Sequence, residues 1–112
     1  MKYALDKGVS VETLGLQCTK EHFLELANKM TGWDEVAPYM LDSSTLEEIR
    51  GDRCSERDKK VKMLIKWSQP LAFKATYSAL IRVFVKAQRA DLAQLVCNIL
   101  GDSKGGIAHD HS

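Results

Sequence analysis

From Thr19 onward, apolar positions recur three and four residues apart in short runs broken by glycine, proline and polar caps, the period of amphipathic helices. Thr19 is an N-cap residue followed by Phe23, Leu26, Ala27 and Met30, and Gly32 stops this first helix. Trp33 opens a second, with Asp34 and Glu35 in the first turn, where the helix dipole favours acids. Val36, Ala37 and Met40 supply its apolar side. Pro38 predicts a short or distorted helix, because proline lacks the amide proton and crowds the preceding turn. Asp42-Ser43-Ser44 caps a third helix, with Leu46 and Ile49 inward, Glu47, Glu48 and Arg50 outward, and Gly51 at its end.

Ser55 caps a fourth helix, and Asp58 stands where the acid of a capping box would stand. Its stripe reads Val61, Leu64, Ile65 and Trp67 until Pro70 terminates it. Leu71 to Lys74 connect to a fifth helix from about Ala75, with Tyr77, Leu80, Ile81, Phe84 and Val85 on one face. Ala90 or Asp91 starts a sixth, whose apolar face is Leu92, Leu95, Val96, Ile99 and Leu100. The two ends carry weaker patterns. Residues 1–18 alternate only briefly and read as an extended or short helical lead-in that packs on the domain. Residues 101–112, with Gly101, Gly105 and Gly106, read as a flexible tail. Six short helices without a convincing strand pair predict an all-α, six-helix antiparallel bundle over residues 19–100.

Composition narrows the function classes. The chain has 112 residues, enough for one core and too few for two. Cys18, Cys54 and Cys97 are odd in number and form no CxxC pair, which favours free thiols in a reducing, cytoplasmic setting over a stapled secreted domain. Cys97 falls on an apolar helical face and reads as packing, whereas Cys54 lies between Arg53 and Arg57. Met1-Lys2-Tyr3 leads to Asp6 and Lys7 without an apolar signal segment, and no run approaches a membrane span. The histidines are His22, His109 and His111, and no nucleophile elbow or phosphate loop accompanies them. The expectation is a soluble chain with no catalytic role, cofactor or metal; His109-Asp110-His111 in a tail offers no ordered second layer of ligand support. Trp33 and Trp67 read as core residues of a small bundle. Arg89 and Asp91, two apart on a helix, do not face each other, so each is expected to reach another helix.

Charge adds a more specific signal. The net charge is +1, yet residues 34–58 hold eight acids against three arginines, a balance of −5. Residues 59–89 hold eight bases and no acid, a balance of +8. One acidic and one basic surface on a small body suit head-to-tail contact, which need not close into a ring and can build a filament. A nucleic-acid module using the basic fourth and fifth helices is the alternative, weakened by the neighbouring acids and by the lack of a base-reading Arg and Asn set.

The order of short motifs resembles the death domain of the death-fold superfamily across about 80 of the 112 residues. The stretches that carry it are Phe23-Leu24-Glu25-Leu26-Ala27, Gly32-Trp33-Asp34-Glu35-Val36-Ala37, Leu46-Glu47-Glu48-Ile49, Met63-Leu64-Ile65-Lys66-Trp67, Ala75-Thr76 with Leu80, and Arg89-Ala90-Asp91-Leu92-Ala93. Pro38 and the glycine-free Met40-Leu41-Asp42-Ser43-Ser44 depart from the family pattern. Caspase-recruitment and death-effector domains share the bundle; the two tryptophans and the Ala-Thr pair favour the death domain proper. The resemblance implies a module that binds other death domains, its own copies or those of adaptors, receptors or kinases, in signalling complexes of apoptosis or innate immunity. The expected acidic face is Asp34, Glu35, Glu47, Glu48 and Asp52, and the expected basic face is Lys59, Lys60, Lys62, Arg82 and Lys86.

Overall fold

The computed structural model describes the backbone of residues 11–110 and the side chains of residues 12–101. Among the described residues seven helices follow one another: α1 (Val11–Leu14), α2 (Lys20–Lys29), α3 (Trp33–Met40), α4 (Ser43–Gly51), α5 (Glu56–Ser68), α6 (Tyr77–Lys86) and α7 (Ala90–Asp110), with a 3₁₀ turn at Ala72–Lys74. The six helices expected from the sequence are α2 to α7. Among the described residues the only strand-like feature is an isolated antiparallel bridge between Gln17 and Thr76.

Local chemistry sets the helix starts. Thr19, Asp42, Ser55 and Thr76 each turn a side-chain oxygen onto the backbone N–H three residues ahead, at 3.3, 2.8, 3.1 and 3.2 Å. Each bond satisfies a donor that has no partner within the helix. The fifth expected helix therefore starts at Tyr77 rather than Ala75, because Thr76 is its cap and the 3₁₀ turn fills the connection. Gly32 likewise acts one step later than expected: α2 ends at Lys29, and Gly32, at φ 63°, caps the start of α3. Pro38 leaves α3 short, at eight residues, and the Leu41 N–H still closes its end on the Ala37 carbonyl at 2.9 Å.

The core is one continuous cluster. α2 packs on α5 and α7, α6 lies along α7 and against α3, and α4 packs on α5 and α3. Trp33 and Trp67 are both buried in it. Three stripes differ from their sequence reading. On α5 the buried residues are Met63, Leu64 and Trp67, while Val61 and Ile65 are half-buried. Leu64 belongs to either stripe, and the packing of α2, α3 and α4 selects the one that includes Met63. On α6, Tyr77, Leu80, Ile81 and Phe84 are buried, but Val85 is 46% exposed beside Arg82 and Lys86. On α7, Ala93 and Cys97 join the buried face and Leu95 stays half-buried.

The two ends stand differently against the sequence reading. The lead-in packs from residue 11: Leu14 is buried, Cys18 N–H donates to the Ala75 carbonyl at 2.8 Å, and Tyr77 N–H donates to the Leu16 carbonyl at 3.2 Å. Residues 1–10 of the expected lead-in lie outside the described residues. The expected flexible tail is instead helical backbone through Asp110, continuous with α7. Three packed turns pre-form the helix, and extension adds one hydrogen bond per residue without a new nucleus. That offsets part of the cost of the glycines, about 1 kcal/mol each. Residues 111 and 112 lie outside the described residues, as do the side chains of His109 and Asp110.

Candidate interaction surface

The acids expected to form one face divide into two kinds. Asp34, Glu47 and Glu48 are exposed on α3 and α4 and form no ion pair among the described residues. Glu35 and Asp52 are engaged. Glu35 receives Arg89 Nη1 at 3.1 Å, and Asp52 receives Lys62 Nζ at 2.8 Å. The Lys62 ammonium is held above its ordinary value chiefly by that hydrogen bond. Asp52 and Lys62 come from opposite expected faces, so the acidic and basic surfaces meet at the α4–α5 junction.

The expected basic set divides in the same way. Lys59 lies 3.8 Å from Glu56 and donates to the Arg50 carbonyl at 3.4 Å. Lys60 is half-buried, its Nζ donating to the Met30 carbonyl at 2.7 Å. It thereby closes a free carbonyl at the C-terminal end of α2, where a cation is favoured. Arg57 bonds Asn28 on the same helix, and the Trp33 indole N–H donates to Glu56 at 2.8 Å. The first turns of α5 are therefore a seam between elements. Arg82 and Lys86, one helical turn apart on α6, are exposed and, among the described residues, unpaired.

Arg89 has a larger role than its place in the basic segment suggested. It stands just before α7, not within it, so the helical spacing argument against pairing with Asp91 does not apply. Its Nε and Nη2 donate to the two Asp91 carboxylate oxygens at 2.9 and 2.8 Å. Nη2 and Nη1 also donate to the Thr31 and Gly32 carbonyls at 2.9 and 3.1 Å. The expectation that each residue reaches another helix thus fails for Asp91, while Arg89 both pairs with it and clasps the α2–α3 loop. The fork of the guanidinium makes this possible. Arg89 holds the Asp91 carboxyl below its ordinary value.

Other polar chemistry is sparse. The Tyr77 hydroxyl bonds His22 Nδ1 and accepts from the Thr19 N–H at 3.3 Å. Burial pushes the Cys18 thiol up to about 12 and raises Cys97 as well. Cys54 is half-buried. An apolar notch bordered by Phe23, Leu26, Leu80 and Ile99 has about 10 Å³ of free space, room for no more than one water.

Exposed apolar residues escaped the sequence reading. Phe73 is 74% exposed, Leu16 59% and Tyr39 51%. Phe73 lies outside every helical stripe, between Pro70 and the Thr76 cap, and that position is the one signal that could have singled it out.

The bundle is thus an all-α domain whose distinguishing feature is a charged surface rather than a cavity. The family model of the death domain matches residues 20–100, and the chain belongs to that family. A search of curated proteins and one of solved structures each found no match. Death domains are protein–protein interaction modules rather than enzymes, and they bind other death domains. No helix among the described residues is long and apolar enough to cross a membrane.

Proposed function

We propose that this domain assembles an apoptotic or innate-immune signalling complex in the cytoplasm by docking the acidic surface of one death domain on the basic surface of the next. The acidic side comprises Asp34, Glu35, Glu47, Glu48 and Asp52. The basic side comprises Lys59, Lys60, Lys62, Arg82 and Lys86. The partner is a second copy or the death domain of an adaptor, receptor or kinase. The observation that carries this reading is the unpaired remainder: Asp34, Glu47 and Glu48 on α3 and α4, against Arg82 and Lys86 on α6. Charges already satisfied within the chain gain little from a partner, whereas exposed unpaired ones steer encounter and select among partners.

The test is light-scattering mass after size exclusion, at low and high ionic strength, on the wild type, Glu47→Lys/Glu48→Lys and Arg82→Glu/Lys86→Glu. Oligomers should form at low salt, shrink at high salt and vanish in each reversal alone. Mixing the two reversed variants should restore a complex. Oligomers indifferent to salt and to both reversals would overturn the charged-surface reading. A wild type that is monomeric throughout moves the test to capture by a panel of death domains, where loss on reversal is again expected. Retardation of random duplex DNA at low salt would move the reading to nucleic acid.

A further inference from the structure

Phe73 is the most exposed large hydrophobic residue among the described residues, and its backbone is not loose. It sits in the 3₁₀ turn, next to Ala72 at φ 52°. That left-handed conformation is unfavourable for a residue with a Cβ and persists only where its surroundings enforce it. Here the enforcement is a run of backbone bonds: Leu71 to Ser68 at 3.2 Å, Lys74 to Leu71 at 2.9 Å, Ala75 to Ala72 at 3.1 Å, and Cys18 to Ala75 at 2.8 Å. A strained and stitched turn holds an aromatic ring in water, where it gains nothing for the fold. An aromatic side chain on a fixed backbone suits binding, because the main chain has little conformational freedom left to lose.

The surroundings indicate the occupant. Lys74 follows Phe73 directly, and Lys66 lies in the last turn of α5; both are exposed and unpaired, in a segment without a single acid. The turn is therefore an aromatic knob edged by positive charge. Its complement is an acidic surface with exposed apolar area, and this chain carries one. Tyr39 is 51% exposed at the end of α3, Met40 and Leu41 beside it are half-buried, and α4 follows with unpaired Glu47 and Glu48. We propose that Phe73, presented by the Ala72–Lys74 turn, is the apolar anchor that docks on the α3–α4 junction of a second copy.

The turn (residues 72–74) and the acidic junction (residues 39–48) are different stretches of one copy, so the contact joins unlike surfaces, head to tail. This inference rests on the assembly reading above but adds an apolar element that salt does not screen.

The experiment measures self-association by light scattering over a concentration series for the wild type, Phe73→Ser and Glu47→Lys/Glu48→Lys. A photo-crosslinking phenylalanine analogue at position 73 is then mixed with isotope-labelled copies. Phe73→Ser should keep the wild-type thermal midpoint and weaken association at least about tenfold, at high salt as at low. Cross-links should join position 73 to labelled peptides spanning residues 39–48. Unchanged association in Phe73→Ser overturns the anchor even where the charge reversal succeeds. Loss in Phe73→Ser without loss on reversal, with cross-links to residues 39–48, upholds the anchor and overturns the charged-surface reading. A wild type that stays monomeric at every concentration, or cross-links that fall elsewhere, overturns the anchor and leaves heterotypic binding to the previous test.

Discussion

At the scale of single residues, the strongest device is the Arg89 clasp on the α2–α3 loop. Gly32 is required there twice over: its φ is 63°, and a Cβ would stand 2.6 Å from Arg89 Nη1. Gly32→Ala must therefore both adopt a left-handed conformation and displace the guanidinium, at an expected cost of about 1–3 kcal/mol in denaturant unfolding. Arg89→Lys should lose most of what Arg89→Ala loses, because a single ammonium cannot serve Asp91, Glu35 and two carbonyls together. An Arg89→Lys variant as stable as wild type would show that charge alone suffices. Two carboxyls carry a pH signature as well. Asp42 is lowered from 3.8 by its bond to Thr45, and Asp91 is lowered by Arg89. The folded chain then binds these protons less readily than the unfolded chain. Their stabilisation is present above about pH 4 and is lost as pH falls through the lowered folded values. Asp42→Asn and Asp91→Asn should each flatten the decline of the unfolding midpoint on acidification; an unchanged slope would contradict the assignment.

At the scale of elements, the starts of three helices were legible because each is written in a few adjacent residues: Thr19, Asp42 and Ser55 bond donors three positions ahead, whereas Thr76, which does the same, falls inside its helix in the sequence reading. The faces were less legible. Periodicity places Leu64 and Trp67 on the apolar side of α5 but gives Val61 and Ile65 in place of Met63, and it extends the α6 stripe to Val85. The structure buries Met63 completely and leaves Val85 46% exposed. Met63→Ala should accordingly cost about 2–5 kcal/mol, and Val85→Ala should stay within about 0.5 kcal/mol of wild type. Equal losses at the two positions, measured by chemical denaturation, would restore the periodic reading. The glycines after Leu100 misled for a related reason: propensity describes a segment alone, whereas this one extends a helix already anchored by six buried residues from Leu92 to Leu100.

At the scale of the whole molecule, the proposed contact between an acidic and a basic surface has a consequence for assembly. A contact between two different surfaces of one body leaves a free copy of each on every oligomer. Average mass should therefore keep rising with concentration at low salt, whereas a plateau at the dimer would indicate a symmetric, self-complementary contact instead. The sequence by itself determined what depends on neighbours in the chain: helical period, caps, the all-α class, the family motifs and the segregation of charge into residues 34–58 and 59–89. Only the tertiary structure decided which of those charges remain available. It spends Glu35 on Arg89 and Asp52 on Lys62, ties Lys60 to the end of α2, and leaves Glu47, Glu48, Arg82 and Lys86 unpaired among the described residues. It also brings residues 16–18 to the start of α6 and holds Phe73 outward on a strained turn. The reason is physical. Period and capping act over three or four residues, but a side chain's availability depends on groups up to 58 positions away, as between Arg89 and the Thr31 carbonyl.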